Sequence, residues 1–165
     1  MFSIKWLVEC YKWNGCKEKI SKMANSIFVE LLKIPSDILE ISSLLNSVFA
    51  EFGLPSPKVW FDGKESSSTL LTDGFVMVSG EKEGDHCWVS ISRCVAEVTG
   101  DDKCTILADV KTRGSWTFAG VVVYAFCKGF GSIIFNDAGE LDGQESYSAE
   151  SLKQVLDRLI SHEAE

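Results

Sequence analysis

The sequence feature that most constrains this fold is an apolar run of twenty residues, 116–135, which carries Lys128 as its single charge. An apolar run of about 18 or more residues can form a membrane-spanning helix when no strong breaker interrupts it. Here Lys128, Gly129 and Gly131 interrupt the run at the place where a core helix would end. The run therefore predicts a buried helix followed by a buried strand, and it places the centre of the core.

The local signals around this run predict where its helix begins and ends. Ser115 is suited to cap the helix N-terminus, so we expect a helix over residues 116–127. Gly129 is expected to adopt the left-handed conformation that ends many helices. Residues 132–135 are then expected to form a short buried strand.

Composition limits the class of protein and the kind of partner. A chain of 165 residues with 45% hydrophobic residues can bury a core of its own and is typical of one globular domain. A net charge of −8 argues against nucleic-acid binding, because contacts to phosphates need clustered Lys and Arg. A basic or neutral partner, or solubility alone, fits this acidic balance better.

The charge changes sign near the N-terminus. Residues 1–22 hold five lysines and two glutamates, a net of +3, which leaves 11 basic and 22 acidic residues after them. We predict a single domain over residues 23–165, beginning at Met23, with residues 1–22 as an amphipathic extension or alternative start. Its apolar stripe at helical spacing would pack on the domain or on a second copy, or attach to a membrane surface; the stripe comprises Phe2, Trp6, Cys10 and Trp13. A membrane partner is the less favoured of these.

The six cysteines are expected to stay reduced. No secretory signal precedes them, since the first residues are too short and too charged for its apolar region. Free thiols are the default in the cytoplasm, which is the predicted location of this protein.

The remaining pattern predicts helices and strands in separate blocks. Residues 26–34 are expected to form a strand, and Ser36 is expected to cap a helix that continues to Phe52. Residues 74–80, 86–98 and 104–110 favour an antiparallel meander, and Ser148 favours the start of a final helix. This order predicts an α+β fold, a two-layer sandwich with a mainly antiparallel sheet and helices packed on one face.

Residues with catalytic or metal-binding chemistry are scarce. The chain has two histidines, no cysteine pair at the spacing of structural zinc sites and no nucleophile-elbow motif. The glycines after Lys128 lack the spacing of a phosphate-binding loop. We therefore predict no catalytic residue, no metal site and no cofactor, and an enzyme is less favoured than a binding protein.

Two groups of residues are candidates for binding. The first is an acidic loop that would offer Asp137, Glu140 and Asp142, framed by Tyr147, to a basic partner. The second would place polar groups in a pocket between sheet and helices, where a small enzyme or small-molecule-binding protein would hold its ligand. This second group comprises Arg113, Asp109, His86 and Asp137.

The order of elements between about Ser26 and Ile160 resembles the small acidic α+β proteins of bacterial mobile elements, namely integron gene-cassette products and toxin-immunity-like proteins. The resemblance rests on an opening strand and helix, a strand meander, the apolar helix running into SIIFND, and a final helix SAESLKQVL. It implies a non-enzymatic protein that binds another protein, often as an oligomer. The leader of 22 residues departs from that pattern.

Overall fold

The computed structural model describes residues 26–64, 70–93, 106–136 and 139–165. The predicted stripe of residues 1–22, the predicted start at Met23 and the candidate residue Asp137 lie outside these ranges. They remain predictions.

The described residues form seven strands and three helices, in the order β1 (Ser26–Leu31), α1 (Ile38–Glu51), β2 (Lys58–Gly63), β3 (Gly74–Ser79), β4 (His86–Arg93), β5 (Ile106–Lys111), α2 (Trp116–Phe130), β6 (Gly131–Phe135), β7 (Ser146–Tyr147) and α3 (Ala149–Glu163). One short 3₁₀ turn, Leu71–Asp73, leads into β3. The strands join in one sheet of order β2-β3-β4-β5-β1-β6-β7, and every neighbouring pair is antiparallel. The predicted α+β class with a mainly antiparallel sheet is therefore confirmed.

The sheet has one closed face and one open face. Residues on alternate positions of the central strands are fully buried, as Val29, Val89 and Val110 illustrate at 0% exposure. Val89 is paired with Val110, and Val29 is paired with Ala108, two residues from Val110, so these side chains share the face that packs on the helices. The positions between them point to the other side of the sheet.

Helix α2, which contains most of the apolar run, is the centre of the core. It packs on strands β1, β4, β5 and β6 and lies against both α1 and α3. Its interior glycines allow this close packing, because a Cβ at Gly129 would stand 2.4 Å from Cδ2 of Leu44 in α1. In the part of the chain that the structure describes, no helix has the length and apolar character needed to cross a membrane.

Two predicted helix ends are wrong by a few residues. Helix α2 continues through Gly129 to Phe130 and passes directly into β6, because Gly129 serves close packing against Leu44 rather than a left-handed turn. Asp37, not Ser36, caps α1, since its carboxylate accepts a hydrogen bond from the backbone N–H of Glu40 at 2.8 Å. The Glu40 carboxylate accepts hydrogen bonds from the backbone and hydroxyl of Ser36, so Ser36 stabilises the same helix end from one residue further back.

The helices are joined by a polar contact whose strength is expected to depend on pH. Glu51 of α1 accepts hydrogen bonds from the Tyr124 hydroxyl at 3.0 Å and the Lys128 ammonium at 2.6 Å, both on α2. The hydrogen bond from Lys128 holds the pKa of Glu51 below its usual 4.5, although burial opposes it. A carboxylate with a lowered pKa stabilises the fold above its unfolded pKa, and this contribution is lost as pH falls through the folded value.

We therefore expect Glu51→Gln to lower the free energy of unfolding by about 0.5–1 kcal/mol at neutral pH, a modest amount because solvent screens the pair. The difference from wild type is expected to shrink in acid, where Glu51 itself becomes protonated. Urea unfolding at a series of pH values measures it, with exposed Glu145→Gln as the matched control. A difference that stays constant from neutral pH to strong acid would contradict the prediction.

Candidate functional site

The open face of the sheet carries a row of large apolar side chains. Trp60 of β2 is paired with Met77 of β3, and Met77 is paired with Trp88 of β4, so the three lie side by side. Phe75 lies two residues from Met77 on the same face. We call Trp60, Phe75, Met77 and Trp88 the open-face patch.

This patch is accessible, whereas the closed face is not. Trp60 is 47% exposed and Phe75 is 39% exposed, and Met77 and Trp88 are half-buried. The buried side chains of the same strands, such as Val76, Val78 and Val89, belong to the closed face. Contiguous exposed apolar surface commonly marks an interaction site, and Trp, Phe and Met are enriched where proteins bind one another. The open-face patch is the candidate functional site.

The neighbouring part of the open face, along β5, is more sheltered. Leu107 is 6% exposed there, and Asp109 forms an ion pair with Lys111, whose Nζ lies 3.1 Å from Asp109 Oδ2. The other carboxylate oxygen, Oδ1, is buried and has no hydrogen-bond partner among the described residues. A buried acceptor without a donor is unfavourable.

The structure does not gather the predicted pocket residues between sheet and helices. His86 is exposed at the beginning of β4, at an open-face position opposite Ser79, and Arg113 is exposed in the turn before α2. Asp109 lies within β5 on the open face, four positions before Arg113, which lies beyond the end of that strand. The space between sheet and helices is filled by buried apolar side chains.

Two residues of the predicted acidic recognition loop are engaged inside the loop itself. The Tyr147 hydroxyl donates a hydrogen bond to Asp142 Oδ1, and the Gln144 amide donates to Asp142 Oδ2 at 2.7 Å. Burial, reinforced by the bond to Asp142, raises the pKa of Tyr147 to about 12. Burial also favours a higher pKa for Asp142, but the hydrogen bonds from Tyr147 and Gln144 outweigh it and lower that pKa.

Asn136 organises this loop, a role that the sequence analysis did not identify. Its side chain is 1% exposed and donates hydrogen bonds to the backbone oxygens of Glu140 at 2.6 Å and Gln144 at 2.9 Å. Its Oδ1 accepts a hydrogen bond from the backbone N–H of Glu140 at 3.1 Å. The only sequence signal was an Asn directly after an apolar strand, which also fits an ordinary strand end.

The structure also has a surface cleft of about 370 Å³. It opens between the ends of α1 and α3, the β3–β4 turn and the start of α2, and none of the predicted site residues lines it. Its walls include Phe52, Leu54, Lys82, Asp85, Phe118 and Ile160.

The described thiols are not placed for chemistry. Cys87 and Cys127 are buried and free, and burial raises the pKa of both thiols, so little reactive thiolate is available. Within the described ranges, no three His, Cys, Asp or Glu side chains converge as a possible metal-ligand set.

Comparison of this chain with protein-family models, with curated proteins and with solved structures finds no match.

Proposed function

We propose that this protein is a non-enzymatic, cytoplasmic binding protein that holds a basic protein partner on the open face of its sheet. The observation that carries the proposal is the open-face patch, in which Trp60 and Phe75 expose much of their surface to solvent. Large aromatic side chains supply most of the binding energy in many protein interfaces. A flat, apolar sheet face suits another protein better than a small molecule, which needs a concave site.

Charge supports the choice of a basic partner. The residues after position 22 carry 22 acidic and 11 basic side chains, so a positively charged protein would be attracted over a distance.

The test removes apolar surface from the open-face patch without touching the closed core. In the double variant Phe75→Thr/Trp88→Thr, threonine keeps the strand propensity of both positions. Native mass spectrometry of the full chain, purified from its own host, is expected to find wild type bound to a protein of net positive charge. We expect the double variant to lose this partner while its circular dichroism and thermal unfolding still report a folded protein.

The matched control is Leu39→Gln, which removes an apolar side chain that is 72% exposed on α1, away from the sheet. This control is expected to retain the partner. Equal binding by wild type, control and double variant would place the interface elsewhere. A wild-type protein that carries no protein partner would overturn the proposed function.

A further inference from the structure

Strand β2 is an edge of the sheet, and its hydrogen-bonding pattern shows which backbone groups point outward. The backbone N–H of Lys64 donates to the oxygen of Asp73 at 2.8 Å, in register with the β2–β3 pairing. Hydrogen-bonded pairs alternate along an antiparallel ladder. The backbone N–H and C=O groups of Lys58, Trp60 and Asp62 therefore also form their hydrogen bonds with β3. Val59 and Phe61 therefore direct their N–H and C=O groups away from the sheet.

The side chains on the open face of β2 form a self-complementary series. Lys58, Trp60 and Asp62 follow one another at alternate positions, with opposite charges on either side of the Trp and with all three side chains exposed. We propose that two copies of this chain pair through β2, antiparallel and centred on Trp60. Each Lys58 then faces Asp62 of the second copy, and the two Trp60 side chains form a cross-strand pair.

In this register opposite charges face each other, the open faces of the two copies coincide, and the outward backbone groups form hydrogen bonds. Val59 stands opposite Phe61 of the second copy, and these are the residues whose backbone groups point outward, so they form the hydrogen-bonded pairs. Trp60 occupies a non-hydrogen-bonded pair, where opposite side chains come closest. Pro57, which lacks an N–H, ends the ladder on one side.

The neighbouring registers are less favourable. Centring the pair on Phe61 also satisfies the backbone, but it brings Lys58 opposite Lys64 of the second copy, and like charges at opposite positions are destabilising. A shift by one residue places open-face side chains opposite closed-face ones. Charged side chains on an edge strand usually prevent sheet-to-sheet pairing. In β2 the charges have opposite signs at symmetric positions, which favours pairing with an identical strand.

This pairing goes beyond the proposed function and does not depend on it. Opposite residues of an antiparallel pair share one face, so both copies of the open-face patch lie on the same side of a joined sheet. The two patches become one surface with a two-fold axis at Trp60. The dimer therefore offers its binding partner one continuous surface made of two equivalent halves.

Charge reversal tests the proposed register directly. Sedimentation velocity of the full chain over a range of concentrations is expected to show a monomer–dimer equilibrium. Lys58→Asp and Asp62→Lys should each replace two attractive pairs by two repulsive ones and raise the dimer dissociation constant by about tenfold or more. The double variant Lys58→Asp/Asp62→Lys should restore the wild-type constant, because the pairs are again opposite in charge.

Glu145→Lys is the matched control, since it makes the same change of charge as Asp62→Lys at an exposed site far from β2 in the sheet order. Its dissociation constant should stay within about twofold of wild type. A wild-type chain that remains monomeric at all concentrations, or a double variant that fails to restore the dimer, would overturn the proposed pairing. The open-face variant Phe75→Thr/Trp88→Thr leaves β2 intact, so loss of the partner and loss of the dimer are distinguishable.

Discussion

Phe126→Ala is expected to lower the free energy of unfolding by about 3–5 kcal/mol, the range for truncating a fully buried aromatic side chain. Phe126 lies in the C-terminal half of α2 and is 0% exposed. Its ring makes an edge contact with Phe130, with ring centroids 5.9 Å apart. Helix α2 is packed between the sheet, α1 and α3, so little can move into the space that the ring leaves.

The prediction also distinguishes the two interpretations of the apolar run. A helix that is buried in a protein core loses stability in water when a large side chain is removed, and urea unfolding followed by circular dichroism measures this loss. Phe126→Leu fills part of the space and should cost less than half as much as Phe126→Ala. Leu39→Ala, at a position that is 72% exposed, should change the unfolding free energy by less than about 0.5 kcal/mol. If Phe126→Ala lowered the free energy of unfolding as little as Leu39→Ala does, the Phe126 ring would not be packed as described.

Much of the fold could be predicted because two signals depend only on residues close together in the chain. These are the spacing of apolar residues and the capping residues at helix ends. The α2 cap was predicted at Ser115, and the Ser115 hydroxyl does accept a hydrogen bond from the backbone N–H of Phe118. The α3 cap was predicted at Ser148, and this residue forms a capping box with Ser151. The role of Gly129 was wrong because it depends on Leu44, a residue 85 positions earlier in the chain. Contacts of that kind leave no local signal.

The candidate site was harder to predict for the same reason. Successive residues of a strand point to opposite faces, so the sequence of β4 places Val89 and Trp88 on different faces of the sheet. It does not indicate which of the two faces the helices cover. Only the assembled sheet places Trp60, Met77 and Trp88 side by side. The acidic loop raised a related difficulty, because composition cannot tell an accessible carboxylate from one, such as Asp142, that is held by Tyr147.

Asn136→Asp is expected to destabilise the loop between β6 and β7 and to lower the free energy of unfolding by about 2–4 kcal/mol. The substitution keeps the shape of the side chain but replaces its NH₂ group by an oxygen. That oxygen would face the backbone oxygens of Glu140 and Gln144, which now accept hydrogen bonds from Asn136. Two acceptors would lose their donor in a buried site and would be repelled by the new charge.

Two measurements separate this effect from a general loss of stability. Urea unfolding gives the change in free energy, and Asn46→Asp, at an exposed position of α1, is the control that makes the same substitution with a small effect. Titration of Tyr147 followed by NMR reports the loop itself, because its pKa is raised to about 12 by burial and by the hydrogen bond to Asp142. If the loop opens without the Asn136 amide, Tyr147 becomes exposed and its pKa falls toward its usual value of 10 in the Asp variant. If the loop stays closed, the pKa of Tyr147 stays at about 12 or rises, because the Asn136 amide, which lies 3.4 Å from the Tyr147 hydroxyl and lowers its pKa, is replaced by a carboxylate. That second outcome would mean that Tyr147 and Asp142 keep the loop closed without Asn136.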